Sequence, residues 1–239
     1  MKKILCLCLL VTITILGKTQ ASGKYIGNSG VGTDFSIQNN DGKMIPIGTK
    51  EDPKGTPYLL ENWSNVMVYL TNGTNYTDNT FNYSLFDEQL YFIKNNNLFA
   101  VTDDIKEFIL TPSGANDINQ TTYRFANGYP IVNNANEKTF YQILAKGTHY
   151  HLLKWQHKKI RETYVYGAKA EFEYLNQINY YVFDFASNKM NFIGIKASAN
   201  NIKSTLSVDE SIWKAYLKNQ TGNSKDEKSM IDFINYLNK

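Results

Sequence analysis

From Val66 onward the chain alternates short apolar runs with polar turns at a spacing that suits β-strands. VMVYL (66 to 70) leads into Asn72-Gly73, and a second β-favouring run follows directly. Asn-Gly accepts the positive φ of a tight hairpin turn, so strands are expected at 66–71 and 74–77. Phe81, Tyr83 and Leu85 alternate with Asn82 and Ser84, which predicts a strand over 81–86 with one apolar face. Further strands are expected at 90–94, 98–101, 105–110, 123–125, 139–145, 149–156, 159–164, 172–175, 180–185 and 190–195. Turns this short leave no room for the crossovers that parallel strands require, so the pattern predicts an antiparallel meander. Tyrosine and phenylalanine dominate these runs, as suits a pleated and half-buried surface.

After Lys196 the period lengthens. Ser207-Val208-Asp209-Glu210 and Ser224-Lys225-Asp226-Glu227 both fit the S-x-x-E capping box, in which serine and glutamate satisfy early helix amides reciprocally. Two helices are therefore expected. The first carries Val208, Ile212, Tyr216 and Leu217 on one stripe, and the second carries Met230, Phe233, Ile234 and Leu237. The predicted fold class is mainly β with α+β character: one or more antiparallel meander sheets followed by a C-terminal helix pair lying on a face or edge of the sheet.

The first residues change the picture of where the chain goes. Lys2 and Lys3 precede an apolar run from Ile4 to Leu16, and Thr19-Gln20-Ala21 offers a small-x-small cleavage site. The run is shorter than the ~20 apolar residues of a membrane span. A signal peptide is expected at 1–21, with a mature chain that has no transmembrane segment and is periplasmic, extracellular or on the cell surface. Behind it the organisation reads as a loose N-terminal arm with a hairpin at 22–64, an antiparallel β domain at 65–200 and the helical pair at 201–239. The arm's hairpin pairs Phe35–Gln38 with 43–47 across Asn40-Asp41-Gly42. TPSGANDINQ (111 to 120) is a long polar loop, either inside one domain or between 22–120 and 121–239 as two small ones.

Charge and cysteine follow from the same leader. The formal net charge of +3 equals the contribution of Lys2, Lys3 and Lys18, since residues 1 to 21 hold no acid. A mature chain near neutrality carries no basic stripe for nucleic acid. Both cysteines, Cys6 and Cys8, also fall in the leader, so no disulfide is expected and stability must come from the core. Asparagine pairs and triplets mark turns, and N-x-Ser/Thr matches at Asn62, Asn72, Asn75, Asn82, Asn119 and Asn219 are what so Asn-rich a chain produces by composition.

Every histidine lies in HYHLLKWQH (149 to 157). On a strand His149, His151 and His157 share a face, but a rise of about 3.3 Å per residue puts the third roughly 20 Å from the first. A zinc–nitrogen bond is about 2.1 Å, so three histidines cannot close on one ion and no metal or other cofactor is expected. Gly27-Asn28-Ser29-Gly30 lacks both the strand before it and the final glycine of a nucleophile elbow. Carboxylate pairs occur at Asp87-Glu88, Asp103-Asp104 and Glu171-x-Glu173; solvated turn or edge positions account for all three, and the last has glycosidase-like spacing of near 7 Å.

The stretches GTPYLLENW (55 to 63), YSLFDEQLYF (83 to 92), IKEF (105 to 108), FYQIL (140 to 144) and LLK (152 to 154), with the tail AYLKNQ and MIDFINYLNK, resemble a group of uncharacterised exported bacterial proteins. The resemblance implies a β-rich fold with two C-terminal helices and transfers no activity to any residue. Histidine is not a feature of that group's LLK strand.

The function expected from all this is a non-enzymatic exported protein that binds or scaffolds in the cell envelope, with no catalytic residue. The alternative is a carbohydrate- or lipid-binding domain in which Tyr58, Trp63 or Trp155 lines a cleft, its partner an envelope protein or a glycan or lipid. A hydrolase using Glu171 with Glu173, or His149 with His151, ranks below both. A membrane β-barrel conflicts with the C-terminal helices and uneven strands.

Overall fold

The computed structural model describes residues 24–26, 35–38, 44–47, 53–94, 97–112, 122–132, 135–164, 170–218, 220 and 225–239. The expected leader, the Gly27–Gly30 turn and most of the 111–120 loop lie outside them. Thirteen strands and three helices follow in order: β1 (Lys24–Ile26), β2 (Phe35–Gln38), β3 (Met44–Ile47), β4 (Ser64–Leu70), β5 (Asn75–Ser84), β6 (Gln89–Lys94), β7 (Asn97–Ala100), β8 (Ile105–Thr111), β9 (Tyr123–Ala126), β10 (Tyr141–Lys146), β11 (Tyr150–Thr163), β12 (Glu171–Asp184), β13 (Lys189–Gly194), α1 (Ala199–Thr205), α2 (Glu210–Leu217) and α3 (Glu227–Leu237). The mainly β, antiparallel architecture with C-terminal helices is as the sequence pattern predicts.

β2 and β3 pair alone, and the other strands form one eleven-stranded antiparallel sheet in the order β1-β7-β6-β5-β4-β8-β9-β10-β11-β12-β13. β8 lies beside β4, not beside β7, although only four residues join β7 to β8. Such a link reaches at most about 17 Å, whereas four strand spacings in a flat sheet come to roughly 19 Å. The sheet therefore curls. Val101 and Ile105, at the two ends of the link, are buried in one cluster with Phe81, Leu85, Leu90 and Phe108. The curl closes where the β5–β6 turn meets β11 beyond the end of β10: Lys158 N donates to the Leu85 carbonyl at 2.6 Å.

Residues 53–60 strap this junction. Lys54 exchanges backbone hydrogen bonds with Phe172 and Tyr174 of β12, while Leu85 N and Leu59 N bond to Pro57 O and Tyr83 O. The Lys158 ammonium donates to Thr56 O (2.7 Å) and Tyr58 O (2.9 Å).

Two places where turns are predicted turn out to be continuous strand. β11 runs through His157-Lys158, and β12 through Asn176-Gln177, in an unbroken fourteen-pair ladder. The polar side chains need no turn because they satisfy one another across the strands, Gln156 with Asn176 at 3.1 Å and His157 with Gln177 at 2.9 Å. β5 likewise continues through 77–80, its polar stretch absorbed by a register shift against β4. The Asn72-Gly73 hairpin forms as predicted, with Gly73 at φ 85.

The helical end corrects the sequence in three respects. There are three helices, not two. α1 is short and asparagine-rich, so its propensity is poor, and it is held by Ala199 and Ile202, both fully buried. Ser207, expected to cap the next helix, instead ends α1: at φ 51 it takes the left-handed position of a Schellman closure, with Ser207 N bonded to Ser204 O and Val208 N to Lys203 O. The N-caps are aspartates two residues further on, Asp209 for α2 and Asp226 for α3, the latter in a capping box with Ser229. The buried face of α2 is accordingly Trp213 and Tyr216, while Ile212 and Leu217 are exposed.

These two rings stack with Phe233 of α3 at centroid distances of 4.9 and 4.6 Å. With Met230 and Ile234 they cover the sheet face that carries Leu152, Tyr180 and Val182. The opposite face carries Tyr141, Leu153, Trp155, Tyr181 and Phe183, over which Tyr129, Val132 and Ala135 fold.

Asn238, just past α3, fastens the helices to the β10–β11 turn. Its side chain accepts from His149 N (3.0 Å) and Tyr150 N (2.9 Å) and donates to Tyr150 O (3.1 Å) and Ile234 O (2.9 Å). A Cβ at Gly147 would lie 2.1 Å from the Asn238 Cγ. Asn238→Ala is expected to cost about 1–2 kcal/mol in urea unfolding. Gly147→Ala should cost a similar amount by expelling the same side chain, and the double variant little more than either. Additive costs would show that the two residues act separately.

Candidate functional site

The β5–β6 turn, Leu85 to Glu88, is anchored on every side. Leu85 sits in the core, Phe86 meets the Tyr174 ring edge-on at 5.5 Å, and Asp87 accepts from the Tyr91 hydroxyl. Glu88 Oε1 accepts the Trp155 indole N–H at 2.6 Å. Glu88 occupies the left-handed region at φ 55, where a residue with a Cβ is disfavoured by about 1–2 kcal/mol. The corresponding turn between β12 and β13 places Asn188 at φ 50, the residue type suited to that conformation.

Asp87-Glu88 is therefore not the solvated turn pair expected from the sequence. Burial raises the Asp87 carboxyl above its ordinary value despite the Tyr91 hydrogen bond. Burial raises Glu88 too, opposed by the Trp155 hydrogen bond and reinforced by the neighbouring Asp87 charge. Asp-Glu flanked by two aromatic strands was a visible signal, but nothing local said that the curl would carry this turn against β11.

In front of the turn lies a cleft of two lobes, about 470 and 540 Å³, that share Glu88, Glu137 and Lys138 as walls. The smaller lobe adds Asp87, and the larger adds Asp103 and Asp104. Five carboxylates thus face one lysine, and Lys138 lies 3.8 Å from Asp104 with both side chains largely in solvent. Such a wall of one charge sign focuses a negative potential in the cleft.

The three aromatic residues expected at a site stand behind this wall and do not line it. Tyr58 and Trp63 are half-buried with ring centroids 5.4 Å apart, and Tyr58 also meets Tyr91 edge-on at 6.2 Å. Trp155 is buried on β11, its ring 4.4 Å from that of His157. The structure joins them through the acids: Tyr58 reaches Asp87 by way of Tyr91, and Trp155 reaches Glu88 directly. Beside Trp155 on the same face lies Tyr141, 2% exposed, whose hydroxyl has no hydrogen-bond partner among the described residues. Burial pushes this phenol up, and the charge of Glu88 acts on it in the same direction.

The histidines are dispersed. His149 precedes β11 and is exposed, and its Nδ1 faces Thr148 Oγ1 at 3.2 Å. His151 is buried with Nδ1 2.8 Å from the Tyr129 hydroxyl, and burial lowers both His151 and His157 below their ordinary range. Among the described residues no group of three or more His, Cys, Asp or Glu could hold a metal ion. Glu171 is paired with Lys54 at 2.9 Å, and Glu173 with Arg161. No protein-family model, curated protein or solved structure matches this chain.

Proposed function

We propose that this chain is an exported, non-enzymatic binding protein of the bacterial cell envelope, with the cleft at the β5–β6 turn as its site. The observation that carries the reading is Glu88, a half-buried carboxylate in an unfavourable backbone conformation at the wall shared by both lobes. Strain of that kind persists where a particular side chain is required at a particular point. The exported location rests on the leader pattern at 1–21 and on the resemblance to uncharacterised exported bacterial proteins.

A hydrolase built on Glu171 and Glu173 is the weaker reading, because each of those carboxylates is already held by a cation. Trp155 supplies the test. Its indole donates to Glu88, so an occupant of the cleft should shift its emission, whereas Trp213 lies in the helical core. In a Trp213→Phe background a panel of glycans, lipids and small amines should include one class that shifts the emission saturably. The same class should leave an added Glu88→Gln variant unshifted. An equal shift in that variant would place the ligand elsewhere, and a silent panel would count against a binding protein.

A further inference from the structure

We infer that the cleft takes an organic cation, a primary alkylammonium group carried either by a free polyamine or by a lysine side chain. The inference rests on the cleft being the site proposed above and names what it holds. Charge decides the class. Asp87, Glu88, Asp103, Asp104 and Glu137 face a single lysine, so a neutral sugar or an anionic headgroup would leave the field of the wall unanswered.

The second, independent observation is Tyr141. Its hydroxyl is buried and unpartnered, and it stands beside Trp155 close enough to Glu88 to feel that charge. Nearly all buried polar groups have a partner, so an orphaned hydroxyl at one end of an acidic cleft marks a place where a ligand group completes the set. An ammonium bound to Glu88 has three N–H donors and no acceptor, and a phenol oxygen is an acceptor it can use.

The experiment is calorimetric titration of the mature chain with cadaverine, spermidine, an oligolysine peptide and a neutral oligosaccharide, in wild type and three variants. At least one amine should bind saturably, and more weakly as salt rises from 50 to 500 mM, because the attraction is screened. Asp104→Asn should weaken it about 2–5-fold and Lys138→Ala should tighten it by about the same factor. Both residues are largely exposed, so neither change threatens the fold.

Tyr141→Phe removes a hydroxyl that makes no internal hydrogen bond; it should leave the melting temperature unchanged or raised, yet weaken the amine about 3-fold or more. Tighter binding of the peptide than of cadaverine would name a lysine side chain as the source, and the reverse a free amine. If the oligosaccharide binds and no amine does, the cation is wrong and the cleft stands. If Lys138→Ala weakens amine binding, the electrostatic argument fails. If nothing binds, both proposals fall.

Discussion

Phe108→Ala is expected to cost about 3–5 kcal/mol in urea unfolding, the range for emptying an aromatic site in a packed core. Phe108 has no exposed surface and lies at the middle of β8, with Tyr83, Phe125 and Phe140 around it at centroid distances of 5.2, 4.9 and 5.1 Å. These partners come from β5, β9 and the segment leading into β10, so the ring bridges strands on both sides of the 113–121 stretch. Ile109, one residue on, points to the other face and is half-buried. Ile109→Ala should therefore cost less than half as much. Equal costs would mean that the sheet is not one-sided at β8. Unfolding followed by tryptophan emission and by far-ultraviolet circular dichroism should coincide, because one hydrogen-bonded sheet connects the Phe108 cluster to the strands beneath the helices.

The strands were legible because their signals are local. Alternation at 81–85 and the Asn72-Gly73 turn depend on residues within a few positions, and both appear where the pattern puts them. What was not legible depends on pairing at long range. The continuity of β11 through His157-Lys158 rests on partners some 20 residues away in β12, so a polar pair looks like a turn until its partners are known. Ser207 shows the same limit at short range. S-x-x-E marks a helix start only if no helix already ends there, and α1 is too poor in helix formers to announce itself. The candidate site is the extreme case. Tyr58, Trp63 and Trp155 could be listed as rings, but only the curl brings the Asp87-Glu88 turn between them, and that curl follows from a four-residue link and the place of β8 beside β4.

Trp155→Phe should test the centre of that site by stability alone. The substitution keeps a ring against Tyr141 and His157 and deletes the N–H that Glu88 accepts at 2.6 Å. Loss of a hydrogen bond to a charged group costs about 1.5–3 kcal/mol. Burial already holds Glu88 above its ordinary 4.5, and without its donor the folded value must rise further. A carboxyl raised on folding destabilises the protein at pH above the folded value, and the penalty is relieved as pH falls through that value toward the unfolded one. The cost of Trp155→Phe should therefore be full at neutral pH and shrink on acidification toward about 4.5. His151 and His157 have the opposite linkage. Burial lowers them, so their contribution is complete above about 6.5 and is lost as pH falls. That loss occurs in wild type and variant alike and cancels in the difference. In a Glu88→Gln background the acceptor is neutral at every pH, so the same tryptophan change should cost less and show no pH dependence. A cost that stays level with pH in the Glu88 protein would mean that the indole is not holding a carboxylate, and the argument for a charged wall at this end of the cleft would go with it.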